Sequence, residues 1–224
     1  MKFFLFLLML CSLCVGGCSY NLTRVFYENI SEIQRDIFVG KFGEIKATLL
    51  LGDRESEYVK NGYSTDRISF AVLMVEGVDL SKEISHTYRL FVDEKVYEGD
   101  LENNPFGGLI VDIGNIEIGE VMVLTITSEN KSTDIVLRSI VEELEIKSDN
   151  AINVVLSEYG GDIGKLKKGR TFNAESYVKL MGTIDIGSDD LCWCITIITR
   201  SGKRFSYVVS AYSGKIISVQ NNMA

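Results

Sequence analysis

This 224-residue chain contains one histidine, one tryptophan and one proline. Of its five cysteines, three lie in the first eighteen residues and the others are Cys192 and Cys194. Two late cysteines are too few for a disulfide-stapled scaffold, so stability must come from burial. A lone imidazole excludes the multi-histidine zinc sites common among hydrolases. With 23 basic against 31 acidic side chains, the chain lacks the cationic excess that phosphate neutralisation requires, which argues against nucleic acid as a partner. After residue 18, no stretch approaches the ~18 consecutive apolar residues of a membrane-spanning helix. There is no Gly-x-Ser-x-Gly nucleophile elbow and no run of spaced oxygen ligands of the calcium-loop kind. A single proline leaves the turns to glycine, asparagine and aspartate.

The N-terminus is rich in what the rest lacks. It opens Met1-Lys2-Phe3-Phe4-Leu5-Phe6-Leu7-Leu8-Met9-Leu10 and stays apolar to Val15-Gly16-Gly17-Cys18. A charged start, a short apolar run and small residues before a cut site are the features of an export signal. The ending Val15 to Cys18 resembles the bacterial lipobox, with glycine at Gly16 where alanine or serine is usual. The resemblance implies that residues 1–17 are a signal peptide, that the Cys18 thiol carries a diacylglyceryl group, and that the protein is held on the extracytoplasmic face of a bacterial membrane. Two acyl chains hold a protein stably where one is marginal. Removing residues 1–17 leaves 22 basic and 31 acidic side chains, a net charge of −9, so the lipid rather than a basic face is expected to supply attachment. Residues 18–35, polar with scattered apolar positions, are expected to form a lipidated tether.

At 46% hydrophobic residues the rest is a folded chain. Apolar, β-branched runs at Ile45 to Leu51, Ile68 to Val75, Thr87 to Val92, Leu109 to Ile113, Val121 to Thr127 and Asp134 to Ile140 are expected as strands. Asp93-Glu94 suits a tight hairpin, and Asn103 to Gly108 a connection. Six or more strands with little helical periodicity predict an antiparallel, immunoglobulin-like β-sandwich over residues 36–147.

From residue 148 the pattern changes. Ser148-Asp149 can cap a helix in which Ile152, Val155, Leu156 and Tyr159 share one face, with Gly160-Gly161 ending it. Alternation returns in Leu191 to Thr199 and, after Arg200-Ser201-Gly202-Lys203, in Phe205, Tyr207, Val209 and Ala211. A further turn leads into Ile216-Ile217. Residues 148–224 therefore predict an α+β module, giving a mostly β chain overall. The arrangement, with Ser210-Ala211-Tyr212-Ser213-Gly214-Lys215-Ile216-Ile217 closing it, resembles a PepSY-type domain, serine standing for the family's usual aspartate and threonine. That resemblance implies a non-catalytic module of the kind that restrains proteolysis or binds at the membrane surface.

Few residues invite chemistry. His86 could serve a serine or cysteine nucleophile as base, against the plainer reading of a surface or strand-edge histidine. Cys192 and Cys194, two apart in a strand, share a face. As a metal or redox pair they lack further ligands, and the plainer reading packs them under the helix against Ile152, Val155 and Leu156. Asp189-Asp190 and Glu142-Glu143-Glu145 read as a solvated turn and a charged linker. Lys165, Lys167, Lys168 and Arg170 form the one basic cluster and are candidates for an acidic partner or a wall phosphate polymer. Asp53-Arg54-Glu55, with Lys60-Asn61-Gly62-Tyr63, is read as the longest polar loop of the sandwich and a candidate binding site. No catalytic residue, cofactor or metal is assigned. The sequence thus points to a lipid-anchored envelope protein that binds or regulates, with an envelope peptidase as one object of regulation. The alternatives are an envelope hydrolase using His86 and a structural or adhesive surface protein.

Overall fold

The computed structural model describes residues 22–56, 65–81, 84–119, 122–129, 131–169, 171–182 and 190–222. Cys18 and the signal-like segment lie outside them. The described chain is mostly antiparallel β, with one nearly closed sheet and one long helix, Ser148–Ile163. No helix among the described residues is long and apolar enough to cross a membrane.

The spine is β1 (Glu32–Phe42), which pairs antiparallel along its length with β2 (Ile45–Glu55). Its other edge changes partner midway. Glu32 and Ile33 pair in parallel with β12 (Ala174–Met181), whereas Phe38 and Val39 pair antiparallel with β9 (Lys131–Ser139). The register slips between Gln34 and Asp36, where the switch occurs. Such a bulge frees backbone groups, and side chains take them up. Gln34 Oε1 accepts the Leu180 N–H at 2.8 Å, and Asp36 Oδ1 accepts the Ile37 N–H at 2.7 Å and the Ser139 hydroxyl at 2.6 Å. Sequence reading misses β1 because Gln34-Arg35-Asp36 interrupts its alternation.

From β2 the sheet continues through β3 (Arg67–Glu76), β7 (Leu109–Asp112) and β6 (Glu102–Asn103). From β9 it continues through β8 (Met122–Ser128), β4 (His86–Val92) and β5 (Lys95–Asp100). The β4–β5 connection is the expected Asp93-Glu94 hairpin, with Asp93 at φ 51°. Between these two wings lies one core, built from Leu49, Leu73, Leu90, Met122, Leu124 and their neighbours. Closure depends on Gly40: a Cβ there would stand 2.4 Å from the Val136 carbonyl oxygen and 2.6 Å from Ile135 Cγ2.

A second core lies on the other arm of the sheet, where β12 leads to β13 (Cys192–Thr199), β14 (Arg204–Ser210) and β15 (Ile216–Asn222), all antiparallel. The long helix covers one face, burying Ala151, Ile152, Val155 and Leu156 against Val178, Trp193, Ile195, Ile197 and Val209. Its start and end differ from expectation. Lys147 stands at the N-cap without a side-chain cap, and Asp149 lies in the first turn. The helix runs through Gly160 and Gly161 to Gly164, because packing against neighbouring elements overrides the weak helix preference of glycine.

Residues 22–28 are helical as well, and here the tether expectation is corrected. Val25, Phe26, Ile30 and Ile33 are buried in the second core, with Phe26 edge-on to Phe172 at 5.4 Å. Burial of such side chains is worth about 1.5–3 kcal/mol each, so an amphipathic stretch that reads as polar linker has strong reason to fold back.

Candidate functional site

The basic cluster and a groove share one end of the second core. The helix stops at Gly164 and the chain turns through Gly164–Leu166 into a two-residue ladder, β10 (Lys167–Lys168) with β11 (Thr171–Phe172), closed by Gly169 at φ 65°. The β13–β14 turn, with Gly202 at φ 81°, arrives at the same end. Between the two lies a groove of about 390 Å³ lined by Tyr159, Lys165, Leu166, Lys203, Phe205 and Tyr207. The Tyr159 and Tyr207 rings sit 5.0 Å apart. Burial, helped by the charge of Asp162 and by Tyr159, pushes the Tyr207 pKa up and keeps it a neutral hydroxyl. Lys165 pairs with Asp162 at 2.6 Å, both exposed. Lys168 is exposed, Lys167 half-buried, and Arg170 lies outside the described residues.

Asp53, Arg54 and Glu55 are the last three residues of β2, not a loop, because the strand extends past Leu51 to pair with β1 and β3. Each has intramolecular partners. Asp53 accepts from Arg35 Nε at 3.2 Å and from the Ser69 hydroxyl at 3.0 Å. Arg54 pairs with Asp112 and lies over the Phe70 ring. Glu55 is 3% exposed, and burial together with the nearby Glu175 raises its pKa. Lys60 to Tyr63 lie outside the described residues.

His86 is buried rather than at the surface, because the residues before β4 fold over it. Nε2 lies 2.8 Å from the Asp79 carbonyl oxygen and Nδ1 lies 2.7 Å from Ser128 Oγ. A carbonyl oxygen only accepts, so Nε2 carries the proton, and in the neutral ring Nδ1 accepts the Ser128 hydroxyl proton. A hollow of about 350 Å³ adjoins the pair, with Val78, Glu129 and Lys131 among its lining residues.

Cys192 and Cys194 do share a face, but the one turned away from the helix. Leu191, Trp193, Ile195 and Ile197 take the helix side, and Trp193 donates from Nε1 to the Ile146 carbonyl at 2.7 Å. Cys194 lines an open hollow of about 270 Å³ with Tyr177, Lys179, Thr196 and Arg204. Both thiols are free. Burial, then Asp190, then Cys194 raise the Cys192 pKa, which disfavours the thiolate a nucleophile or metal ligand needs. No group of three or more metal-ligating side chains occurs among the described residues.

At the closing turn, Ser210 Oγ accepts the N–H groups of Tyr212 at 3.3 Å and Ser213 at 3.1 Å, while Gly214 adopts φ 67°. A serine thus makes the hydrogen bonds that an aspartate commonly makes to a turn. Asn29, in an Asn-x-Ser pattern, is buried and donates to the Val25 carbonyl, so it is no glycosylation acceptor in this fold. The groove itself was not legible in the sequence. Its only signal was the coincidence of two lysine-bearing turns flanking one helix face and one strand face.

No family model matches this chain, and neither curated proteins nor solved structures give a match.

Proposed function

We propose that this chain is a lipid-anchored cell-envelope protein that acts by binding, as a non-catalytic partner or regulator, and that an envelope peptidase is one class of protein it regulates. The observation that carries the reading is the apolar run ending Val15-Gly16-Gly17-Cys18, followed from residue 22 by a folded body. In support, the nucleophile candidates are chemically quiet. The Cys192 thiol is pushed up, and the His86 ring is held between a carbonyl and a hydroxyl inside the fold. The finer architecture belongs to the same proposal: an immunoglobulin-like sandwich formed by the two wings around β1, and a PepSY-like unit formed by the long helix with β13, β14 and β15. Ser210 keeping the closing turn's hydrogen bonds supports the second assignment.

Intact mass of protein extracted from its native membrane tests the anchor. The expected mass is that of residues 18–224 plus a diacylglyceryl group. An unmodified chain that leaves the membrane in buffer would overturn it.

A second reading rests on Ser128 Oγ standing 2.7 Å from His86 Nδ1 beside an open hollow. In it, His86 takes the Ser128 proton and the protein is an envelope hydrolase.

A further inference from the structure

Leu22 lies along the last turns of the long helix: its Cδ2 is 3.4 Å from where a Cβ on Gly160 would sit and 3.7 Å from one on Gly164. Only Ser19, Tyr20 and Asn21 separate it from Cys18. At 3.3–3.6 Å per residue, the Cys18 Cα stays within about 14 Å of the Leu22 Cα whatever path the chain takes. A lipid on Cys18 would therefore keep the end of the helix near the bilayer, and what turns the body relative to the membrane must come from its charge.

That end differs in charge from the rest. Residues 36–147 hold 22 acidic and 11 basic side chains, whereas residues 148–224 hold 7 acidic and 9 basic. Lys165, which pairs with Asp162, and Lys203, thirty-eight residues further along the chain, both line the groove next to Gly164, with Lys167, Lys168 and Arg200 on the same two turns. The overall charge of the chain disguises this polarity, since the acidic majority belongs to the other core.

We propose that the end carrying Lys165, Lys167, Lys168, Arg200 and Lys203 rests on anionic phospholipid headgroups. The first core, with its exposed Phe42 and Phe106, then points away from the membrane. The inference rests on the anchor reading above. Its physics is simple: the acyl chains supply attachment, and the headgroup potential, attractive to the basic end and repulsive to the acidic body, sets the orientation.

The test is amine footprinting by mass spectrometry with a membrane-impermeant acylating reagent. It uses the native lipid-bearing protein in phosphatidylglycerol vesicles and, separately, in phosphatidylcholine vesicles. In phosphatidylglycerol, modification of Lys165, Lys167, Lys168 and Lys203 is expected to slow at least threefold relative to phosphatidylcholine, while Lys41, Lys95 and Lys131 are unchanged. The difference should shrink in 1 M salt, where the Debye length is about 3 Å. The combined Lys165→Glu, Lys167→Glu and Lys168→Glu variant should stay on the vesicles yet lose the protection of Lys203. Equal rates at both ends in protein that remains vesicle-bound would overturn the orientation and leave the anchor standing. Protein that fails to remain with either vesicle would overturn the anchor, and this inference with it.

Discussion

Arg35 donates from Nη1 to Asp149 Oδ1 at 2.7 Å, joining the bulge of β1 to the first turn of the long helix. The same guanidinium reaches Asp53 of β2 at 3.2 Å, so one side chain ties the helix to the strand shared by both cores. Burial opposes its charge, but the two carboxylates outweigh that and raise its pKa. All three groups are partly exposed, which limits the energy to the range of surface pairs. Arg35→Met should lower stability by about 1 kcal/mol, or roughly 2–4 °C in Tm for a chain of this size. Thermal unfolding of the single variants and the pair with Asp149→Asn checks this. Strictly additive effects would show that the contact contributes nothing.

Two glycines of opposite kind test the packing. Gly40 has Val136 O, Ile135 Cγ2 and Leu137 Cδ2 within 3.0 Å of a virtual Cβ, whereas Gly161 has nothing within 4 Å. Gly40→Ala should cost about 1–3 kcal/mol, since β9 must move off β1. Gly161→Ala, in a helix turn with open space, should gain up to about 1 kcal/mol. Urea titrations of both variants decide it, and a neutral Gly40→Ala would mean that the sheet does not close there.

Which parts of this architecture were legible depended on how each buried its side chains. The strands of the first core alternate simply, so Ile45 to Leu51 and Ile68 to Val75 announce themselves, and β2 and β3 contain both runs. β1 does not, because a strand that changes partner at Arg35 and Asp36 needs polar residues in mid-course. Residues 22–33 hide for a related reason. Their apolar positions satisfy a helical segment and the start of a strand, too briefly for either period to show. The helix face was readable from Ile152, Val155 and Leu156, but its length was not, since Leu22 covers Gly160 from a distant part of the chain. Alternation predicts that Cys192 and Cys194 share a face but fixes only the period of the strand; its phase is set by Trp193, whose side chain takes the helix side and turns both thiols to the opposite face.

Glu55 gives a pH dependence of definite sign. Its folded pKa is raised, first by burial and then by Glu175, so between the unfolded and folded values the native state holds more protons. Stability from this group therefore falls as pH rises through that window, and above it the ionised carboxylate is a standing penalty. Glu55→Gln keeps an oxygen to accept the Thr65 N–H and removes the charge. The variant should melt above the wild type at pH 7, and the gap should close as pH drops towards 4. Asp36, raised in the same direction chiefly by burial, acts with the same sign, so the wild-type curve should itself rise on mild acidification. A gap that widens at low pH would reverse the assignment.

The contact between His86 and Ser128 separates the binding reading from the hydrolase reading. With Nε2–H committed to the Asp79 carbonyl, Nδ1 is the basic nitrogen and faces Ser128 Oγ at 2.7 Å. Removing Ser128 leaves Nδ1 of the buried His86 unpaired, and removing His86 strips both the Asp79 carbonyl and the half-buried Ser128 hydroxyl of their partner, at about 1–3 kcal/mol. His86→Ala and Ser128→Ala should therefore each lower Tm by several degrees if the pair is structural. A nucleophilic serine would in addition react with a fluorophosphonate probe, and Ser128→Ala would abolish that labelling. The binding reading requires that the wild type carry no label at Ser128, that the loss of stability be comparable in the two variants, and that no ester or amide hydrolysis vanish with either. Probe adduct mapped to Ser128 by peptide mass, absent from His86→Ala, would make the protein a hydrolase and overturn the non-catalytic reading.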